Sequence, residues 1–413
     1  MDELAEPLED RKFEKGFMVF GAIVSLLIGI GVLIFFISKV SESHSIPTKG
    51  QVLDLAHFGA FGDFIAGVVG TFFSLAGFFL LYLTLKDQRE NFHKERLESN
   101  FFEMIKFHRE NVNEMQFSYY ENKEEKVTAE KRKVFKIIFS HFKEAWFELN
   151  HIFDSSSIND IYEDKYLASV SSNPQISSRK IDVKQFAQVD ISYLIIFFGL
   201  SREDKQTILN LCYNRYKIDF VVKVLEFASL KPKRESDHWI TWERIMMYKE
   251  RYQIFEDILN RRKDENYQPK IEVNWHVEGD KWYMFKPFYP DNYNKYYGGH
   301  QFRLGHYYRH IFQTVKFIDK EKYLTENEKY DYIKILRGQL SNYEQLVFFL
   351  NMLSEIGRTW ELMKKHKPDK EIKKVKQLIT KYNLIKNIPM QYVVGAINLL
   401  DYYPEIEYEA IAT

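Results

Sequence analysis

GFMVFGAIVSLLIGIGVLIFFIS, residues 16–38, and FIAGVVGTFFSLAGFFLLYLTL, residues 64–85, are the stretches whose reading decides the fold. Neither contains a charge. At about 1.5 Å of helical rise per residue, each is long enough to cross the roughly 30 Å hydrocarbon core of a bilayer. Two buried core helices or a cleaved signal would fit less well. Asp2, Glu3, Glu6, Glu9 and Asp10 make a poor basic n-region, the first stretch is longer than a signal's apolar core, and a second follows at once. The pair therefore reads as a transmembrane helical hairpin behind a short tail, residues 1–15. Arg11, Lys12 and Lys15 precede the first span and Lys86, Arg89, Lys94 and Arg96 follow the second, whereas the connection offers only Lys39 and Lys49. Positive flanks stay inside, so both termini are expected in the cytoplasm.

Small residues recur at four-residue intervals in both spans: Gly21, Ser25 and Gly29, then Ala66, Gly70 and Ser74. Inside a membrane, helices associate by close packing rather than by hydrophobicity, and such ridges permit it. The expectation is that the two helices pack on each other. The same ridges admit a homo-oligomer or a pore, although no intramembrane charge marks an ion path.

Beyond the spans the sequence is polar enough to fold in water and long enough to bury a core. Lys plus Arg and Asp plus Glu number 58 each, so the balance gives no sign of a strongly basic nucleic-acid binder and none of specific DNA binding. The one cysteine, Cys212, has no intramolecular disulfide partner and lies in the apolar run LNLCYNRY, which suits an inert buried thiol in a reducing compartment. Nothing in the sequence calls for a cofactor.

The predicted fold is mainly α. Residues 86–120, free of Pro and Gly, continue the second span as a helical stalk, and 121–413 form a cytoplasmic helical domain. Helices are expected over 131–153, 183–200, 201–214, 217–230 and 240–262. The Ser- and Asn-rich stretch 154–182 reads as a loop. IEVNWHV and KWYMF, flanking EGD within 271–285, carry the one β signal, a small hairpin.

GGHQFRLGHYYRHIFQTVKFID, residues 298–319, is richest in functional groups. As a helix it places Leu304, Tyr308, Ile311, Val315 and Ile318 on a core stripe and Arg303, Tyr307, His310 and Thr314 on a second face. A second helix, capped by Thr325 and Glu328, continues through YDYIKILRGQLSNYEQLVFFLN to Asn351, with Arg337, Ser341 and Glu344 flanking its stripe. Three readings compete. His306 and His310, at i and i+4, could share a metal, but no Glu follows the first His and a third ligand would have to be His300 or a distant residue. Packed antiparallel, the two helices could instead gather a catalytic set: Arg303 and Arg337 on phosphate, His310 as acid or base, Glu344 orienting a partner. The spacing of Arg303 and His310 resembles the short motif of the HEPN ribonucleases, with Leu304 where that motif usually has a polar residue. In the third reading the same side chains form a satisfied polar network between packed helices.

Four segments together, GDFIAGVVGTFFSLAGFFLLYLTLKDQRE (62–90), NFFEMIKFHRENV (100–112), GHYYRHIFQTVKFID (305–319) and YIKILRGQLSNYEQLVFFLN (332–351), are similar to the putative phage abortive infection protein family, the AbiC type. The resemblance implies a bacterial inner-membrane defence protein. It would arrest or kill an infected cell in response to a phage-derived trigger or RNA, with 298–352 as the motif region. It implies no settled chemistry, and the middle of the chain, about 120–270, carries no match.

Overall fold

The computed structural model describes residues 8–43, 55–271, 288–362, 377–389, 391 and 393–409. Two compact units emerge: Met1–Glu103 with Lys320–Glu326, and Met104–Asp319 with Asn327–Thr413.

In the first unit, α1 (Leu8–Ser43) runs beside α2 (Leu55–Phe64), a π-helical turn (Ile65–Val69) and the first part of α3 (Gly70–Asn113). Both apolar stretches lie within helices long and apolar enough to cross a membrane. The pairing is antiparallel and its ends are level. At one end Lys15 pairs with Asp87 at 2.6 Å and Glu90 at 2.8 Å, and Glu14 takes Lys86 and the Tyr82 hydroxyl. At the other, Phe36 stacks on Phe64 with ring centres 3.9 Å apart. Along α1, Ala22, Ser25 and Gly29 are buried, while Phe20, Ile23, Leu27, Ile34 and Phe35 point outward. A Cβ on Gly21 would meet the Phe79 ring at 3.2 Å, and one on Gly29 the Phe72 Cβ at 3.1 Å, so both glycines permit the close approach. The facing ridge on the second helix is Val69, Phe72, Ala76 and Phe79. Ala66 and Ser74 are not part of it, and the nearest atom to a Cβ on Gly70 is the carbonyl of Ile65 in its own helix.

The second unit begins with the end of α3 and a two-stranded antiparallel hairpin, β1 (Gln116–Tyr120) and β2 (Lys126–Glu130), in which Phe117 faces Ala129 and Ser118 bonds Thr128 at 2.8 Å. The stalk predicted to reach residue 120 thus ends as a helix at Asn113. The turn NKEE has no Gly or Pro to announce a hairpin, which hid these short strands. The hairpin expected within 271–285 lies, but for Ile271, outside the described residues.

Helices then dominate: α4 (Lys133–Ser155), α5 (Ile158–Ile161), α6 (Asp164–Ser171), α7 (Pro174–Ser177), α8 (Val183–Phe198), α9 (Arg202–Cys212), α10 (Ile218–Ala228), α11 (Trp239–Met247), α12 (Arg251–Lys263), α13 (Gln301–Lys320), α14 (Glu326–Arg337), α15 (Asn342–Leu353), α16 (Leu378–Tyr382) and α17 (Leu399–Tyr402). The core centres on α8, buried along its whole length from Phe186 to Phe198, with α4 and α15 packed against it.

Three boundaries differ from the sequence reading. The stretch 154–182 holds three short helices, opened by a Ser157–Asp160 capping box, by Glu163 and by Asn173 ahead of Pro174. Its Ser and Asn side chains act as caps rather than as breakers of all order. The single helix expected over 240–262 is two, joined at Tyr248–Glu250. The helix expected from Thr325 to Asn351 is likewise two, α14 and α15. Gly338 follows the first, and Ser341 starts the second by accepting from the Glu344 amide while Glu344 accepts from the Ser341 amide.

Where α8 ends, Gly199 (φ +98°) lies against Gly298 and Gly299 (φ +77°). A Cβ on Gly299 would fall 2.1 Å from the Phe198 carbonyl oxygen, so only glycine allows α13 to start there.

Candidate functional site

Glu344, fully buried in the first turn of α15, organises the polar centre of the second unit. One carboxyl oxygen accepts from the Tyr307 hydroxyl of α13 at 3.0 Å and lies 3.9 Å from His108 Nε2 of α3. The other accepts from the Ser341 amide at 2.8 Å and sits 3.4 Å from Arg132 Nε, just ahead of α4. The helices therefore meet at one carboxyl group, and each partner is delivered by a different element.

The structure thus answers the predicted set residue by residue. His310 is half-buried, and its Nε2–H donates to the Met104 carbonyl at 2.8 Å, which commits that nitrogen. Arg303 donates from Nε to the Gln116 carbonyl at 2.7 Å and lies over the Phe117 ring. Arg337, buried, donates to the carbonyls of Tyr382 and Asn383 at 3.3 and 3.2 Å, where it caps the end of α16. Glu344 does face a histidine, but that histidine is His108. Arg303, His310, Arg337 and Glu344 are thus held by separate partners rather than gathered around one space. His306 is exposed, and no group of three or more His, Cys, Asp or Glu among the described residues could hold a metal ion.

His108 is the residue that sequence reasoning missed. It sits in FHREN of α3, a segment that reads as stalk, and a lone His on an apolar helix face gives no signal of its own. It is 1 % exposed, and its Nε2 has no hydrogen-bond partner among the described residues. Burial, helped by His310, Arg132 and Arg109, holds its pKa down at about 4, so the imidazole is neutral at pH 7. It lines a cavity of about 400 Å³ together with Arg109, Asn113, Lys131, Arg132 and Lys133, with Glu130 as the one carboxylate among four cations. A neutral imidazole beside a cationic cavity, backed by a carboxyl group, is an arrangement able to move a proton on a bound anion. Cys212, by contrast, is free and buried, with its thiol pKa pushed up, and is inert.

A model of the putative phage abortive infection protein family matches residues 299–393, the segment that carries α13, α14 and α15. Over that segment the chain has the sequence pattern of the family, which suggests a phage abortive infection protein. Tyr307 and Glu344 lie inside the match, and His108 and Arg132 outside it. No curated protein and no solved structure matches the chain.

Proposed function

We propose that this chain is a membrane-anchored abortive-infection protein, tied to the bacterial inner membrane by α1 and α3, with its helical unit in the cytoplasm. The observation that carries this reading is the family match over 299–393. Two helices long and apolar enough to span a bilayer, with Phe20, Leu27, Phe35 and Phe78 facing outward, support the anchor. The positive flanks support an orientation with both termini inside. The test is phage challenge of cells carrying the chain, with membrane fractionation alongside. Reduced plaquing, and a protein that resists alkaline extraction but dissolves in detergent, are expected. Unchanged plaquing, or recovery in the soluble fraction, overturns the corresponding half.

A second reading concerns the effector step and is favoured by the His108 cavity. Metal-independent RNA cleavage would use His108 to take the 2′-hydroxyl proton as that oxygen attacks phosphorus and the 5′-oxygen leaves, taking its proton from water. Arg109 and Arg132 would stabilise the charge that develops on phosphate. The approach of an anionic phosphate raises the imidazole pKa from about 4 towards the range useful for a base. His108→Ala should then abolish both RNA fragmentation and protection at normal membrane levels. Protection with RNA intact in wild-type cells would point to a response of the paired membrane helices instead, with the helical unit as sensor.

A further inference from the structure

A second cleft, of about 820 Å³, opens on another part of the helical unit, between the β-hairpin, α4 and the Gly298–Arg303 segment. Its size is that of a small-molecule site. Four observations give it a chemistry.

The first is a tautomer chain. Arg303 can only donate, so its contact at 3.5 Å makes His300 Nδ1 an acceptor and leaves the proton on His300 Nε2. That nitrogen donates across 3.4 Å to His141 Nδ1, which leaves His141 with an Nε2–H. His141 is 9 % exposed and lines the cleft, and this N–H has no acceptor among the described residues. Both rings are held neutral, chiefly by burial, which keeps the chain intact.

The second is Gly298. Gly199 and Gly299 are required by their backbone angles and mutual contact, but a Cβ on Gly298 would meet nothing within 4 Å. Packing does not demand glycine there. A residue without a side chain on the cleft wall, three residues ahead of a 20-residue helix whose Gln301 and Phe302 amides are not taken up among the described residues as those of His300 and Arg303 are, lets a ligand reach the backbone. The third is charge: Lys126, Lys136 and Lys233 line the cleft without an ion pair among the described residues. The carboxylates on the wall are Glu121, Glu144 and Glu235, and Glu144 is already bound to Lys231 at 2.7 Å. The fourth is Phe302, 68 % exposed on the same wall with the Arg303 guanidinium 4.0 Å from its ring centre.

Unpaired donors and cations ask for a ligand rich in acceptors, and an exposed aromatic beside an arginine plane asks for a flat ring. We propose that this cleft binds a free nucleotide, with its phosphates at Gly298 and the start of α13 and its base stacked on Phe302. This goes beyond the defence role and does not depend on cleavage at His108.

The test is calorimetric titration of the full chain in detergent with ATP, GTP, AMP, inorganic phosphate and a short RNA. At least one nucleotide should bind, at least tenfold more tightly than inorganic phosphate. Gly298→Val and Lys136→Glu should each weaken it tenfold or more while leaving the melting temperature unchanged, since neither position is packed. No binding of any nucleotide up to millimolar concentration overturns the proposal. So does an affinity indifferent to both substitutions, or RNA bound more tightly than every free nucleotide.

Discussion

Single atoms decide the outcome at Gly299 and Glu344. Any side chain at Gly299 collides with the Phe198 carbonyl oxygen and must hold φ at +77°. Gly299→Ala should therefore cost about 3 kcal/mol or more, against near-neutrality for Gly298→Ala. The measurement is the difference in melting temperature between the two neighbours, and equal values would remove the close-approach argument. Glu344→Gln keeps the shape of the side chain but replaces one accepting oxygen with an NH₂ group. The buried Tyr307 hydroxyl or the Ser341 amide then loses its acceptor, or the half-exposed Arg132 its ion pair, and a loss of about 2 kcal/mol is expected in a denaturant titration. Glu344 could be singled out from sequence because it closes a capping box beside a core stripe. The histidine beside it could not, because His108 is over two hundred residues away and only the fold joins them.

Among whole elements, long apolar or strongly amphipathic helices were legible and short ones were not. The two apolar helices and α4 follow from runs of residues that must leave water, and α13 from a stripe at Leu304, Tyr308, Ile311 and Val315. The hairpin β1–β2 and the helices α5 to α7 are held by tertiary packing and by single caps, which leave little periodicity to read. The small-residue ridge illustrates both outcomes. Gly21 and Gly29 touch Phe79 and Phe72, whereas Gly70 touches no described residue of α1. The two sides of the ridge therefore separate by substitution. Gly29→Leu should force α1 away from Phe72 and lower the thermal stability or the yield of the protein in membranes, while Gly70→Leu should leave both near wild type. Equal damage from the two would mean that the Gly70 side of the helix faces something else, a second copy being the simplest.

Across the whole helical unit, buried histidines set the response to acid. His108 and His141 both have pKa values lowered to about 4, chiefly by burial, and His300 is lowered as well. For a base whose folded pKa lies below its unfolded value near 6.5, the unfolded chain binds more protons between those two values. Stability is then complete above about pH 6.5 and is lost as pH falls towards 4. Each of His108 and His141 costs about 2 kcal/mol at pH 5 relative to pH 7, on the order of magnitude set by that interval. Carboxyl groups held low, such as Asp291 beside Lys295 and Arg262, act in the same direction, losing their contribution as the solution becomes acid, while Glu148, whose pKa burial raises, opposes it. The melting temperature of the full chain in detergent should therefore drop by several degrees between pH 7 and pH 5. His108→Gln should flatten that slope while lowering stability at pH 7 only modestly, since a neutral amide replaces a neutral ring. A slope identical to wild type would show that His108 has the same pKa folded and unfolded, and the burial-lowered value from which the acid response is argued would fall with it.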